Sequence, residues 1–270
     1  MNTTTTPLSP ATYDTSVATT RRWRWLAAAA IFGNIGLTYW SRIQPFNGQT
    51  MGYVSGKYPT LLTPAGYAFS IWGIIFLALA AYAVWQLLPA QRTSVLPDAV
   101  AQPLTLANVA TAVWVVLFAY EHVAWCALVM LVILLALIVA YGRARRLVLV
   151  GEVPNRISLP FALYLGWISV ATVVNVTIGL WAFGWQSPTN VSVVLALGLL
   201  VVVTGLGLLI SWAFSEMAYP LVVCWALVGI WVGQHNTYPE LADAALVGAV
   251  VVAVGGFILA RRKLGEATGV

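Results

Sequence analysis

Along this chain, apolar residues come in long runs separated by short polar stretches. A membrane-spanning helix needs about 20 mainly apolar residues. On that measure the pattern predicts eight spans, over 25–43, 66–88, 104–120, 124–142, 157–182, 191–214, 219–234 and 243–260. The runs do not alternate with a period of two, which argues against a transmembrane β-barrel. Pro64, Pro103, Pro188 and Pro220 fall at or near predicted first turns, where the missing N–H of proline is harmless. The expected fold class is therefore all-α, a polytopic integral membrane bundle of about eight transmembrane helices.

The polar breaks set an orientation. Cytoplasmic loops favour Lys and Arg. With the N-terminus inside, the inner segments carry Arg21, Arg22, Arg24, Arg92, Arg143, Arg145, Arg146, Arg156, Arg261, Arg262 and Lys263. The outer loops carry only Arg42 and Lys57. An even number of spans with both termini cytoplasmic, in a bacterial inner membrane, fits this distribution.

Composition strengthens the membrane reading. The chain is 61% hydrophobic and 8% charged, against about 25% charged in a soluble domain. Its net charge of +5 is spread over short clusters, so no nucleic-acid partner is expected. Cys126 and Cys224 lie in apolar segments and read as core thiols, not as a disulfide or zinc framework. The Thr-rich start reads as disordered, and "TTRRWRW" as an inner-face anchor.

Most of the 13 tryptophans suit the aromatic belts at the two interfaces. Trp72, Trp114, Trp167 and Trp225 lie too deep for that; Trp114 and Trp167 fall about 15 Å into their helices. A buried indole needs a partner for its N–H. Asn34, Asn108, Thr111, Ser169 and Asn175 also lie inside spans. Such residues bond a neighbouring helix or a ligand, and either use fits any one of them. Tyr164, Trp167, Ala171 and Asn175 share one helix face by their spacing.

Chemistry beyond binding has little to stand on. Glu121 and His122, and then His235 and Glu240, fall in short outer turns; Glu216 falls in an inner turn; all read as solvated. No lysine lies inside a span, which argues against a retinal Schiff base. No phosphate-binding glycine loop and no metal-ligand pair is present. Gly198, Gly205 and Gly207, with Gly248, Gly255 and Gly256, form small-residue faces suited to close helix approach, and so to scaffold or a homodimer.

Three stretches carry a family resemblance. "LLTPAGYAFSIWGIIFLALAAYAVWQ" resembles the second helix of the tryptophan-rich sensory protein, or translocator protein, family (TspO-like). "AVWVVLFAYEH" resembles its third helix and following turn, and "RISLPFALYLGWISVATVVNVTIGLW" its fifth. The resemblance implies a five-helix bundle with an aromatic pocket closed by the loop after the first helix. It implies binding of porphyrins or related tetrapyrroles. The second-helix aromatics of the family fall on Tyr67, Phe69 and Trp72, and its fifth-helix Trp and Asn on Trp167 and Asn175. The loop motif W-Y-x-x-L-x-K-P is absent, and "GYVSGKYPTLLTP" stands there instead.

The expected organisation is a disordered cytoplasmic lead over 1–22, a TspO-like five-helix bundle over 23–186, three additional helices over 187–262 and a cytoplasmic tail over 263–270. The expected ligand site is Tyr67, Phe69, Trp72, Asn108, Thr111, Trp114, Trp167 and Asn175, with no catalytic residue, no metal and no obligatory cofactor. Its partners would be the lipid bilayer and a flat hydrophobic molecule such as a tetrapyrrole. Two alternatives stay open: a secondary transporter for a small apolar solute, and a membrane enzyme acting on lipid or isoprenoid through Glu121, His122 and His235.

Overall fold

The structure is a computed structural model that describes residues 10–58, 60–184 and 189–268. Nine α-helices lie among the described residues: α1 (Pro10–Ile43), α2 (Met51–Lys57), α3 (Ile71–Leu87), α4 (Val95–Ala119), α5 (Val123–Leu149), α6 (Leu159–Ala182), α7 (Thr189–Phe214), α8 (Ala218–Gln234) and α9 (Pro239–Thr268). A 3-10 turn, Gly66–Ser70, runs directly into α3. Among the described residues, six helical stretches are long and apolar enough to cross a membrane, and α8 is a shorter apolar helix. With α1, the eight long helices match the eight runs of the sequence in order. Pro188 lies outside the described residues.

Three boundaries differ from the sequence pattern. Helix α1 starts at Pro10, so residues 10–22, expected to be disordered, are helical. Proline at the first helical position gives up no hydrogen bond, and the apolar run behind it supplies a nucleus from which helix propagates outward. Likewise α9 continues through residue 268, into the expected tail. The third correction is Pro103, expected in a first turn but found inside α4, which begins at Val95. An interior proline leaves the carbonyl four residues back without its donor. Here that carbonyl belongs to Ala99, and Arg143 Nη1 of α5 donates to it at 2.8 Å. A residue legible only as an inner-face charge thus repairs the helix that the proline interrupts.

The long helices divide into a ring and an outer group. Helix α1 packs on α3 and α4, α4 on α5, α5 on α6, and α6 back on α3. Those five close a ring. Helices α7, α8 and α9 pack on one another, and α8 lies against α6 from outside. The apolar span of α6 is accordingly 72% buried, whereas that of α7 is 22% buried and lies on the outside of the bundle.

At the arginine-rich end, two buried guanidinium groups join elements. Arg24 of α1 makes a two-pronged pair with Asp98 of α4, at 2.6 and 2.7 Å, and donates to the carbonyls of Gln91 and Ser94. Arg145 of α5, only 2% exposed, donates to Asn155 Oδ1, Ser158 Oγ and the Phe214 carbonyl, and lies 3.4 Å from Glu216 Oε2. Glu216 Oε1 accepts the backbone N–H groups of Met217 and Ala218 at the start of α8, where negative charge suits the helix N-terminus. This corrects the reading of Glu216 as a solvated charge: it is 6% exposed and ties the outer group to the ring.

Candidate ligand site

Side chains from the Gly66–Ser70 turn, α3, α4 and α6 fill the interior of the ring. Phe69 meets Trp167 edge to face, with centroids 5.7 Å apart. Trp72, one turn into the same run, meets Tyr164 edge to face at 5.8 Å and Phe76 at 5.1 Å. Such pairs add about 0.5–1.5 kcal/mol each beyond the area they bury. From α4, Trp114 stacks on Phe118 at 4.8 Å and donates its indole N–H to Asn175 Oδ1 at 2.9 Å. Thr111 shares a 2.5 Å hydrogen bond with the Tyr164 hydroxyl. Asn108 accepts from Asn34 of α1 at 3.1 Å.

Seven of the eight expected site residues therefore come together. Phe69, Trp72 and Trp167 form one aromatic wall. Asn108, Thr111, Trp114 and Asn175 form a polar ladder reaching from α1 through α4 to α6. Tyr67 stands apart: it is 43% exposed and meets Trp225 of α8 edge to face at 5.4 Å. Each polar side chain of the ladder already has a protein partner. Asn108, Thr111 and Asn175 also donate to the carbonyl one turn back, at Leu104, Ala107 and Ala171. A ligand taking an orienting hydrogen bond here must exchange it for one of these.

A small cleft lies on the other side of α6, lined by Leu62, Val170, Val174, Leu200, Val203 and Ile230 among others. It offers about 10 Å³ and no polar surface, and a water needs roughly that volume together with polar partners.

A lid covers the end of the ring opposite the arginines. Val54 of α2, fully buried, packs on Phe118 and Cys126. Lys57 Nζ bonds Glu121 Oε1 at 2.6 Å, Gln49 donates to the same oxygen at 2.9 Å, and the Tyr58 hydroxyl donates to Oε2 at 3.2 Å. Glu121 is held there with positive φ in the α4–α5 turn. Lys57, and after it Gln49, holds the Glu121 carboxyl below the usual carboxylate range. Burial, and then the hydrogen bond to Glu121, pushes the Tyr58 phenol up. Glu121 is thus a lid anchor in the structure. His235 bonds the Val232 carbonyl and meets Trp231, a setting separate from the partners of Glu121. Among the described residues, no three His, Cys, Asp or Glu side chains gather in a way that could hold a metal.

Sequence reasoning missed the contact made by α8. Gly229 and Gly233 let that helix lie against residues 63–68: a Cβ on Gly229 would come 2.9 Å from Ala68 Cβ, and one on Gly233 3.2 Å from the Ala65 nitrogen. The spacing of Trp225, Gly229 and Gly233 at every fourth residue was the available signal.

A ring of membrane-length helices enclosing an aromatic cluster, with a short helix laid over one end, defines a polytopic helical membrane protein. The family described as TSPO-like protein matches residues 24–258. The chain belongs to that family, and the match runs through α7, α8 and α9 as well as the ring. No curated protein and no solved structure matches the chain.

Proposed function

We propose that this protein binds a flat hydrophobic ligand of tetrapyrrole type inside the ring, as a sensor or carrier without covalent chemistry. The observation that carries the reading is the aromatic wall of Phe69, Trp72, Tyr164 and Trp167, facing the hydrogen-bonded ladder that ends in Trp114 and Asn175. Indole and phenyl faces supply stacking area, and the amides supply orientation. Because the cluster is closed on itself, the ligand enters by parting ring–ring contacts under the lid. Tyr67 would contact it from the rim. The arginine-rich end faces the cytoplasm of a bacterial inner membrane, in keeping with the positive-inside rule.

The test is a titration of protoporphyrin IX into detergent-purified protein, read by tryptophan quenching. Trp72→Phe, Trp167→Phe and Asn175→Ala run beside Trp125→Phe, which removes a lipid-facing indole that is 63% exposed. Saturable quenching that weakens about tenfold in the first three variants and not in the last supports the site. Unsaturable quenching, equal in all, is partitioning into detergent and overturns it.

A further inference from the structure

Helix α8 lies outside the ring, yet one face of it grips the segment that delivers the aromatics. Trp225 Nε1 donates to the Ala68 carbonyl at 2.9 Å. The Ala65 N–H donates to the Gly229 carbonyl at 2.9 Å. Gln234 reaches the Thr60 carbonyl at 3.5 Å. Above these bonds the Trp225 ring takes the edge contact with Tyr67. Ala68 itself is fully buried between the flanking pair Tyr67 and Phe69. Its carbonyl belongs to a 3-10 turn, whose hydrogen-bond geometry is poorer than that of an α-helix. An outside donor on that carbonyl therefore fixes where the turn hands over to α3, and with it the angle at which Phe69 and Trp72 meet Trp167 and Tyr164.

We propose that Trp225 is a positioning residue for the aromatic ligand site, so that the outer helices set the shape of a pocket they do not line. The proposal rests on the ligand reading above. It also has a consequence that needs no ligand: the turn loosens when the indole N–H is removed.

Trp225→Phe keeps an aromatic ring against Tyr67 and deletes the donor. Hydrogen exchange of residues 65–70 should quicken about fivefold in this variant, as expected for one lost hydrogen bond, while exchange in α4 stays as in wild type. Protoporphyrin IX should bind about two- to fivefold more weakly, with a thermal midpoint that falls only by the small cost of one hydrogen bond. Gly229→Ala is the second variant. It keeps the N–H but brings a methyl within 2.9 Å of Ala68 Cβ, and it should produce the same two changes. Unchanged exchange over 65–70 in both variants overturns the proposal, as does faster exchange with unaltered porphyrin affinity. If wild type shows no saturable porphyrin binding, the ligand reading fails, and the exchange measurement alone decides whether α8 holds the turn.

Discussion

Inside the ring, helices are joined by side chains that reach: Asn34 to Asn108, Thr111 to Tyr164, Trp114 to Asn175. Between α7 and α9 they are joined by side chains that are missing. A Cβ on Gly207 would meet both Val252 methyls at 3.1 and 3.2 Å, and one on Gly248 would meet Thr204 Oγ1 at 2.8 Å. Gly255 and Gly256 sit equally close to Leu208 and Ser211. Lipid provides no hydrophobic drive between apolar helices, so association rests on hydrogen bonds or on close packing. This chain leans mainly on one device in each region, although Gly179 of α6 also lies close to Ala127 of α5 within the ring. The reaching residues leave room between α4 and α6 for an aromatic interior, whereas the glycines close the α7–α9 seam. Of the glycines read from sequence as a homodimer face, Gly198 and Gly205 would have nothing within 4 Å of an added Cβ and are the ones a second copy could use.

The largest effect should come from the joint between the regions. Arg145→Met leaves Asn155, Ser158 and the Phe214 carbonyl without the guanidinium, and Glu216 with only the backbone N–H groups of Met217 and Ala218. The loss should be about 3 kcal/mol, from the cost of breaking a buried pair, measured by unfolding in mixed detergent micelles. A loss as small as that of a surface charge would mean that the two regions hold together without the joint. Next is Gly207→Leu, which forces the stiff Val252 aside. About 2 kcal/mol is expected for overpacking, partly recovered by adding Val252→Ala; no recovery would place the strain elsewhere. Smallest is Asn175→Ala, about 0.6 kcal/mol for one hydrogen bond within a membrane, read by the same unfolding measurement. If this last variant cost more than Gly207→Leu, the contrast between the regions would be reversed.

The number and order of long helices were legible because lipid imposes one requirement on every span. Most of the aromatic and amide cluster was legible too: Trp72, Trp114 and Trp167 by depth along a helix, Asn108, Thr111 and Asn175 as polar residues inside spans, and Phe69 only through the family resemblance. What the sequence hid were contacts between residues far apart in the chain. Arg24, Arg145 and Glu216 read as surface charge, since nothing local says that Asp98, or the Phe214 carbonyl, waits for a guanidinium. Pro103 read as a helix start, because the Arg143 side chain that excuses it in mid-helix lies 40 residues on. Gly229 and Gly233 are ordinary in a membrane helix until the backbone of residues 63–68 is laid against them.

The Trp225–Ala68 hydrogen bond joins residues 157 positions apart. Synthesis runs at roughly 5–20 residues per second, so Ala68 leaves the ribosome about 8–30 s before its partner. All five ring helices are complete in that interval, with the turn ahead of α3 still unclasped. The aromatic interior is therefore finished late in biogenesis, by a helix inserted after its walls already stand. Chains that stall or are cut before α8 would carry every residue of the aromatic cluster and still lack the Trp225 contact with the turn ahead of α3.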